Sequence, residues 1–556
     1  MLAGPAAALV AGWLLVASGA PLQAQEAARP RLPEVLAPPE IGPLPKARRT
    51  DHVISRAGRA LRFAATAGAL AIGGLDGEVL ADVAYTAYLA DSANPAQRPI
   101  VFAFNGGPGS ASTWLHLGAL GPWRVPLTAE TIAGLAAAEP IGNDETWLDF
   151  ADLVFIDPPG TGYSRIWPSG QAHVYAMAGS AYGEPIRPRM TGTGRRVERG
   201  AARGQPSRLT GGPEWFWSLE GDIATFVEFI AAWLERHDRK GSPVVLAGES
   251  YGGFRAPPIA EALAEAHGIS VAAMLLVSPV LDFDGRRGWR TPVHYAALLP
   301  SLAATRIERT GGVPGRALLA EAEGYAGGEF IADLMRGPRD LAAVQRLAHK
   351  VGALSGVGQE ALRLSAGRLT IRGFVEGSPD LRGSVVSIYD VGMTGLAPVR
   401  GGARGGFADP FTAGLDQPLT AAMGVLHGRL DWCPERTYTM LSGEVNRRWR
   451  WPNSPHPPQV LAALADLHRK DPRLRTLVMH GYTDLVTPYF ASVLQLEQLP
   501  EGGAAQRIGL EVYAGGHMFY SRDDSRVRFR ADAARIIGEA VGARTKKPPG
   551  DQRETP

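Results

Sequence analysis

The sequence predicts an α/β fold, with a mainly parallel central sheet flanked by helices, and three observations predict it. Short apolar runs of strand length recur along the chain, segments of helical apolar period separate them, and several runs stop at glycine-rich turns. A strand buried on both faces has no polar side to show, so its sequence reads as continuously apolar. Such strands alternating with helices make a three-layer core.

Taken in order, residues 83–88 and 99–104 are strand-like, and the second run stops at a glycine turn. Residues 151–157 form another short apolar run, closed by Pro-Pro-Gly-Thr-Gly. From 217 to 236 the spacing of Leu219, Ile223, Phe226, Ile230 and Leu234 is that of an amphipathic helix. Residues 243–247 are a further buried strand, followed by a helical pattern over 254–266. Residues 274–277, 477–480 and 509–513 complete the strand series, and a helix over 527–543 closes the core.

The remaining chain sets the domain organisation. Residues 1–24 combine a short apolar run with small residues before a polar stretch, the pattern of a secretory signal peptide; the alternative is an uncleaved anchor. The run lacks a preceding Lys or Arg. Residues 25–50 are Pro/Ala-rich and read as a linker. The core is then expected in two parts, 51–285 and 471–543, with a surface insertion at 168–213, an inserted helical cap over 286–470 and a disordered tail over 544–556. These readings predict a secreted or periplasmic protein with no stable membrane span after leader cleavage.

Composition narrows the function. The 556 residues are 45% hydrophobic and 20% charged, which is ordinary globular material, and a net charge of +2 gives no electrostatic call for nucleic acid. Cys433 is the single cysteine, so an internal disulfide and a Cys-rich zinc site are both excluded. No cofactor and no metal are expected.

The chemistry is concentrated in four places. Gly248-Glu249-Ser250-Tyr251-Gly252-Gly253 follows a buried strand and precedes a helix. That is the setting of the G-x-S-x-G elbow, where a sharp turn exposes a serine hydroxyl. A serine needs a base to take its proton and an acid to orient that base. Asp484 lies just beyond the strand 477–480, and His517 just beyond 509–513, so both fall at the sheet edge where Ser250 emerges. Asn105-Gly106-Gly107-Pro108-Gly109 follows the strand 99–104 and brings bare backbone near the elbow. The amides of Gly107 and Tyr251 are the candidate oxyanion donors. A phosphate loop is excluded by the absence of a following Gly-Lys-Ser/Thr. The order serine, aspartate, histidine is that of an α/β-hydrolase.

These residues resemble the serine carboxypeptidase family, peptidase family S10. Phe104 to Ser110 resembles its Asn-Gly-Gly-Pro-Gly segment. Asp157-Pro158-Pro159-Gly160-Thr161-Gly162-Tyr163-Ser164 is similar to its Gly-Thr-Gly segment, with a proline in place of the usual polar residue. The elbow and the Asp484 and His517 segments match its remaining blocks, over roughly 80–540. The lack of disulfides points to a cysteine-poor, bacterial-type branch.

The resemblance implies an exopeptidase acting on peptides with a free C-terminus, in which Asn105 and Glu249 hold the terminal carboxylate. A glutamate beside a carboxylate is a like-charge pair, so one of the two must take a proton and activity should favour acid pH. Two other readings stay open. One is a secreted esterase or acyltransferase on the same scaffold, because the fold does not fix the substrate. The other is a non-catalytic secreted binding protein. The side-chain preference and the oligomeric state are not legible.

Overall fold

The computed structural model describes residues 44–74, 78–128, 131, 139–167, 212–283, 291–378, 381, 384–396, 409–500 and 505–545. The leader, most of the 168–213 insertion and most of the tail lie outside the described residues.

One ten-stranded sheet carries the structure. Its strands are β1 (Arg48–Arg56), β2 (Arg59–Gly73), β3 (Val79–Ala90), β4 (Ile100–Phe104), β5 (Asp152–Ile156), β6 (Val244–Glu249), β7 (Val271–Val277), β8 (Arg475–Gly481) and β9 (Ile508–Tyr513). The order across the sheet is β1-β2-β3-β5-β4-β6-β7-β8-β9, with the two-residue strand Arg165–Ile166 paired to β3. Antiparallel pairing joins β1 to β2, β2 to β3, β3 to β5 and β3 to Arg165–Ile166, and the remaining pairs of the sheet are parallel. From β2 onward this is the strand order of the α/β-hydrolase fold.

The parallel strands are buried on both faces. Along β4, Val101 and Ala103 enter one apolar cluster while Ile100, Phe102 and Phe104 enter the other. In β6, Val245 and Ala247 divide from Val244 and Leu246 in the same way. The first cluster is covered by α13 (Asp523–Thr545), through Phe529, Ala533 and Ile537. The second is covered by α1 (Leu219–Arg236) and α2 (Tyr251–His267), through Phe226, Trp233, Ile259 and Leu263. Ser218 caps α1 by accepting from the Gly221 amide at 3.1 Å.

Two differences from the sequence reading have physical causes. The first strand starts at Arg48, inside the stretch read as linker. The chain reads as strand-like from about 51, but β2 was not delimited within it: Arg-Ala-Leu-Arg-Phe-Ala-Ala-Thr-Ala-Gly-Ala-Leu-Ala-Ile-Gly is mostly alanine and glycine, which carry little strand preference. Its pairing with both β1 and β3 supplies what local propensity does not.

The 286–470 stretch, expected as a cap, contains two kinds of packing. Helices α3 (Pro292–Arg309), α4 (Arg316–Gly327), α5 (Glu329–Arg336), α6 (Leu341–Ser355), α7 (Gln359–Leu364) and α8 (Ile371–Gly377) share a cluster of their own. That cluster meets the core through Tyr482, Leu485, Tyr489 and Val512. By contrast, α9 (Pro410–Arg429) packs on one sheet face through Phe411, Leu415 and Leu426. After α10 (Gly443–Arg448), α11 (Leu461–Lys470) packs on the opposite face through Leu464 and Leu467. Helix α12 (Tyr489–Leu496) follows the Asp484 loop. Among the described residues no helix is long and apolar enough to cross a membrane.

Candidate active site

The candidate residues gather at the C-terminal edge of the parallel strands. In register, Phe104 of β4 and Leu276 of β7 both stand opposite Gly248 of β6, while Val277 stands opposite Glu249 and Met479. Asn105 therefore leaves β4 level with Glu249, one residue before Ser250. Gly481 stands opposite Tyr513 on β8 and β9, so the loops bearing Asp484 and His517 start level as well.

The elbow is forced by close backbone approach. Ser250 has φ 61° and ψ −120°, between the end of β6 and the start of α2. A non-glycine residue at positive φ is a strained conformation that concentrates at functional turns. Its amide donates to the Val277 carbonyl at 2.8 Å. A Cβ on Gly248 would lie 2.2 Å from the Gly252 carbonyl oxygen, so only glycine fits there.

The glycine segment after β4 lies directly on this turn. A Cβ on Gly106 would meet the Tyr251 nitrogen at 2.5 Å and the Glu249 oxygen and Gly252 nitrogen at 2.7 Å. Gly107 follows with φ 101° and is exposed. A second strap fixes the segment from outside. The Ser442 amide donates to the Gly109 carbonyl at 2.7 Å, and the Asn446 side chain donates to the Pro108 carbonyl at 3.1 Å. The Asp157 segment supports the same region: the Ser112 amide and the Tyr438 hydroxyl donate to Asp157 at 2.9 and 3.2 Å. Burial raises the Asp157 carboxyl to about 6.

Asp484 and His517 are bonded directly. His517 Nδ1 lies 2.8 Å from Asp484 Oδ2, and both side chains are buried. The other carboxylate oxygen accepts from the Val486 and Thr487 amides at 2.8 and 2.9 Å. Burial pushes the Asp484 carboxyl up, but attraction to His517 and the hydrogen bonds from His517 and Thr487 outweigh it and hold it below the usual range. His517 is anchored through its backbone: its amide donates to the Tyr389 carbonyl at 2.7 Å, and its carbonyl accepts from the Ser278 hydroxyl at 2.7 Å. Ser278 follows Val277, whose carbonyl holds the Ser250 amide, so the two loops are tied through one short segment.

Glu249 and Asn105 form a third group. Glu249 is only 3% exposed. Burial raises its carboxyl to about 7, against attraction to His517 and hydrogen bonds from Tyr520 and Asn105; Asp484 pushes the same way as burial. The Asn105 Oδ1 accepts from the Leu115 amide at 3.1 Å, which turns its amide NH2 toward Glu249. Beneath the elbow, Arg255 pairs with Asp222 at 2.9 Å with both side chains 1% exposed. Arg255 also donates to the Asn105 carbonyl at 3.3 Å, and the Tyr251 hydroxyl donates to Asp222 at 2.9 Å.

Sequence reasoning missed Thr487, Ser278, Tyr520 and the Asp222–Arg255 pair. A threonine three residues after Asp484 is a local capping signal and could have been found. The others are long-range partners with no local signature. Among the described residues no cluster of His, Cys, Asp or Glu could hold a metal ion.

Sheet order, elbow and the Asp484–His517 pair define an α/β-hydrolase. The serine carboxypeptidase family model (Peptidase_S10) matches residues 81–285, from β3 past the elbow to β7, and supports a serine hydrolase. Over 81 residues the chain is 40% identical to the pheromone-processing carboxypeptidase KEX1 of Cryptococcus gattii, 14% of this chain and 12% of that protein. Over 204 residues it is 25% identical to serine carboxypeptidase-like 36 of Arabidopsis thaliana, 35% of this chain and 31% of that one. The match thus spans under a third of each of these relatives. A solved structure of the prohormone-processing carboxypeptidase Kex1 from Saccharomyces cerevisiae aligns with a TM-score of 0.49 at 15% identity, covering 86% of this chain and 91% of that one. A proline iminopeptidase from Mycobacterium smegmatis aligns with a TM-score of 0.35 at 15% identity, covering 86% and 100%.

Proposed function

We propose that this chain is a serine carboxypeptidase that removes C-terminal residues from peptides through an acyl-enzyme. Ser250 Oγ attacks the scissile carbonyl while His517 Nε2 takes its proton, and Asp484 holds the imidazole by its Nδ1–H. The Gly107 and Tyr251 amides receive the negative charge that develops on the carbonyl oxygen. The tetrahedral adduct collapses as His517 returns the proton to the leaving amine. Water, activated by the same imidazole, then releases the shortened peptide.

The observation that carries the exopeptidase reading is Glu249: a buried carboxyl beside the nucleophile, raised to about 7, with an asparagine amide turned toward it. In its protonated form it donates to a substrate carboxylate, and with Asn105 it selects a free C-terminus over an amidated one. The α3–α8 layer is read as the cap that lines the substrate side-chain pockets. The leader is read as directing export, and the single cysteine as the mark of a cysteine-poor, bacterial-type branch.

The test is incubation with matched free-acid and C-terminally amidated peptides, followed by mass spectrometry. Stepwise shortening of the free acid alone is the expected result. Equal cleavage of both, or hydrolysis of simple esters only, would favour an esterase or acyltransferase. Ser250→Ala should lower turnover about a thousandfold or more, and near-normal activity in that variant would refute the assignment.

A further inference from the structure

Tyr520 belongs to none of the motifs above, yet it is the residue most tightly set against Glu249. Its ring is fully buried. Gly118, in the short helix His116–Leu120 that follows the glycine segment, leaves the space for it: a Cβ there would lie 2.8 Å from Tyr520 Cε2. Phe529 of α13 stacks near the ring, with centroids 6.2 Å apart and planes at 23°. Arg526 donates to the Tyr520 carbonyl at 3.3 Å. The phenol therefore has one position, and its hydroxyl donates to Glu249 Oε2 at 2.6 Å.

We propose that Tyr520 is a positioning residue for the substrate's terminal carboxylate, committing the Oε2 edge of Glu249 and so presenting Oε1 to the ligand. The inference rests on the carboxypeptidase reading. When a carboxylate binds beside Glu249, one proton must lie between the two carboxyl groups. An oxygen already accepting a phenol O–H is the poorer site for that proton, which is thereby kept on Oε1.

The same hydroxyl stabilises ionised Glu249, because a hydrogen bond to a charged acceptor is stronger than one to a neutral acceptor. The groups that face Glu249 are His517 and Asp484 from the strand-end loops, Asn105 after β4, and Tyr520. His517, Asn105 and Tyr520 favour the ionised form, and Asp484 opposes it. Tyr520 is the member of this set with no part in the acyl chemistry or in direct contact with the ligand.

The test is Tyr520→Phe, which keeps the ring and removes the donor. Rates are measured across pH for an N-blocked dipeptide with a free C-terminus and for an N-blocked amino-acid ester that has no carboxylate. For the dipeptide, KM at pH 5 should rise about tenfold, more than kcat falls, because Glu249 keeps its proton but loses its orientation. The alkaline fall in kcat/KM should move up by about one pH unit, because ionised Glu249 has lost a donor. Ester hydrolysis should change much less. In a Glu249→Gln background, Tyr520→Phe should produce no shift of the alkaline limb.

An alkaline limb that stays fixed or moves down would overturn the proposal. So would equal proportional losses on dipeptide and ester, the mark of general packing damage; this ratio decides even if the variant melts at a lower temperature. If the wild-type protein hydrolyses the ester but not the dipeptide, the carboxypeptidase reading itself fails, and this inference with it.

Discussion

Glu249 is under two opposed influences: burial favours its neutral form, and three hydrogen-bonding or cationic partners favour its charge. The balance lies at about 7, above the ordinary 4.5. Between those values the folded protein holds a proton that the unfolded chain has released. Glu249 is therefore best tolerated below the unfolded value, and stability is lost as pH rises through the folded value. Glu249→Gln has no charge to bury. Relative to wild type it should gain up to about 3 kcal/mol between pH 5 and pH 8, read from urea unfolding at the two pH values. An identical difference at both would show that Glu249 does not titrate in this window. For activity the sign is the same: kcat/KM on free-acid peptides should fall as pH rises through about 7, and Glu249→Gln should remove that fall.

At the scale of elements, the turn after β4 and the turn after β6 are one construction, because Gly106 and Gly252 each sit against the other segment's backbone. Backbone atoms cannot swing away as a flexible side chain can. Gly106→Ala should therefore push the elbow amide of Tyr251 off its line and lower kcat by about a hundredfold or more, with a lower melting temperature; unchanged kinetics would separate the two turns. The pair beneath them is similarly demanding. Asp222→Ala leaves Arg255 buried without its partner, at a cost of about 3–5 kcal/mol, measurable by urea unfolding. Legibility at this scale followed burial. The runs in β4 to β8 were readable because both faces are covered and their central positions are apolar. The alanine-rich β2 was not delimited, since its partners, not its own residues, make it a strand. Helices α9 and α11 could not be told from α3–α8, because a helix on a sheet and a helix on another helix show the same apolar period.

Over the whole molecule, the excursion between β7 and β8 both builds a separate layer and returns to finish the core. Leu426 of α9 shares a cluster with Val245 and Leu275, whereas Leu319 of α4 shares one that reaches the sheet at Val512. Leu426→Ala should cost about 3 kcal/mol and raise hydrogen exchange in β4, β6 and β7. Leu319→Ala should raise it in α3–α8 while β4 and β6 stay protected. Exchange that spreads identically in both variants would mean the two layers unfold as one. The same scale explains why the placement of Ser250, Asp484 and His517 at one sheet edge was legible while the groups packed around them were not. Ser250, Asp484 and His517 each follow a readable strand, so strand order alone brings them to one edge. Tyr520, Ser278 and Arg255 work through contacts across the sheet that leave no pattern in the sequence. The claim that most depends on this convergence is that Ser250 is an activated nucleophile, and labelling with a fluorophosphonate followed by peptide mapping tests it directly. A single adduct on Ser250, lost in His517→Ala, is the expected result; a folded protein whose Ser250 stays unlabelled, or an adduct on another serine, would contradict it.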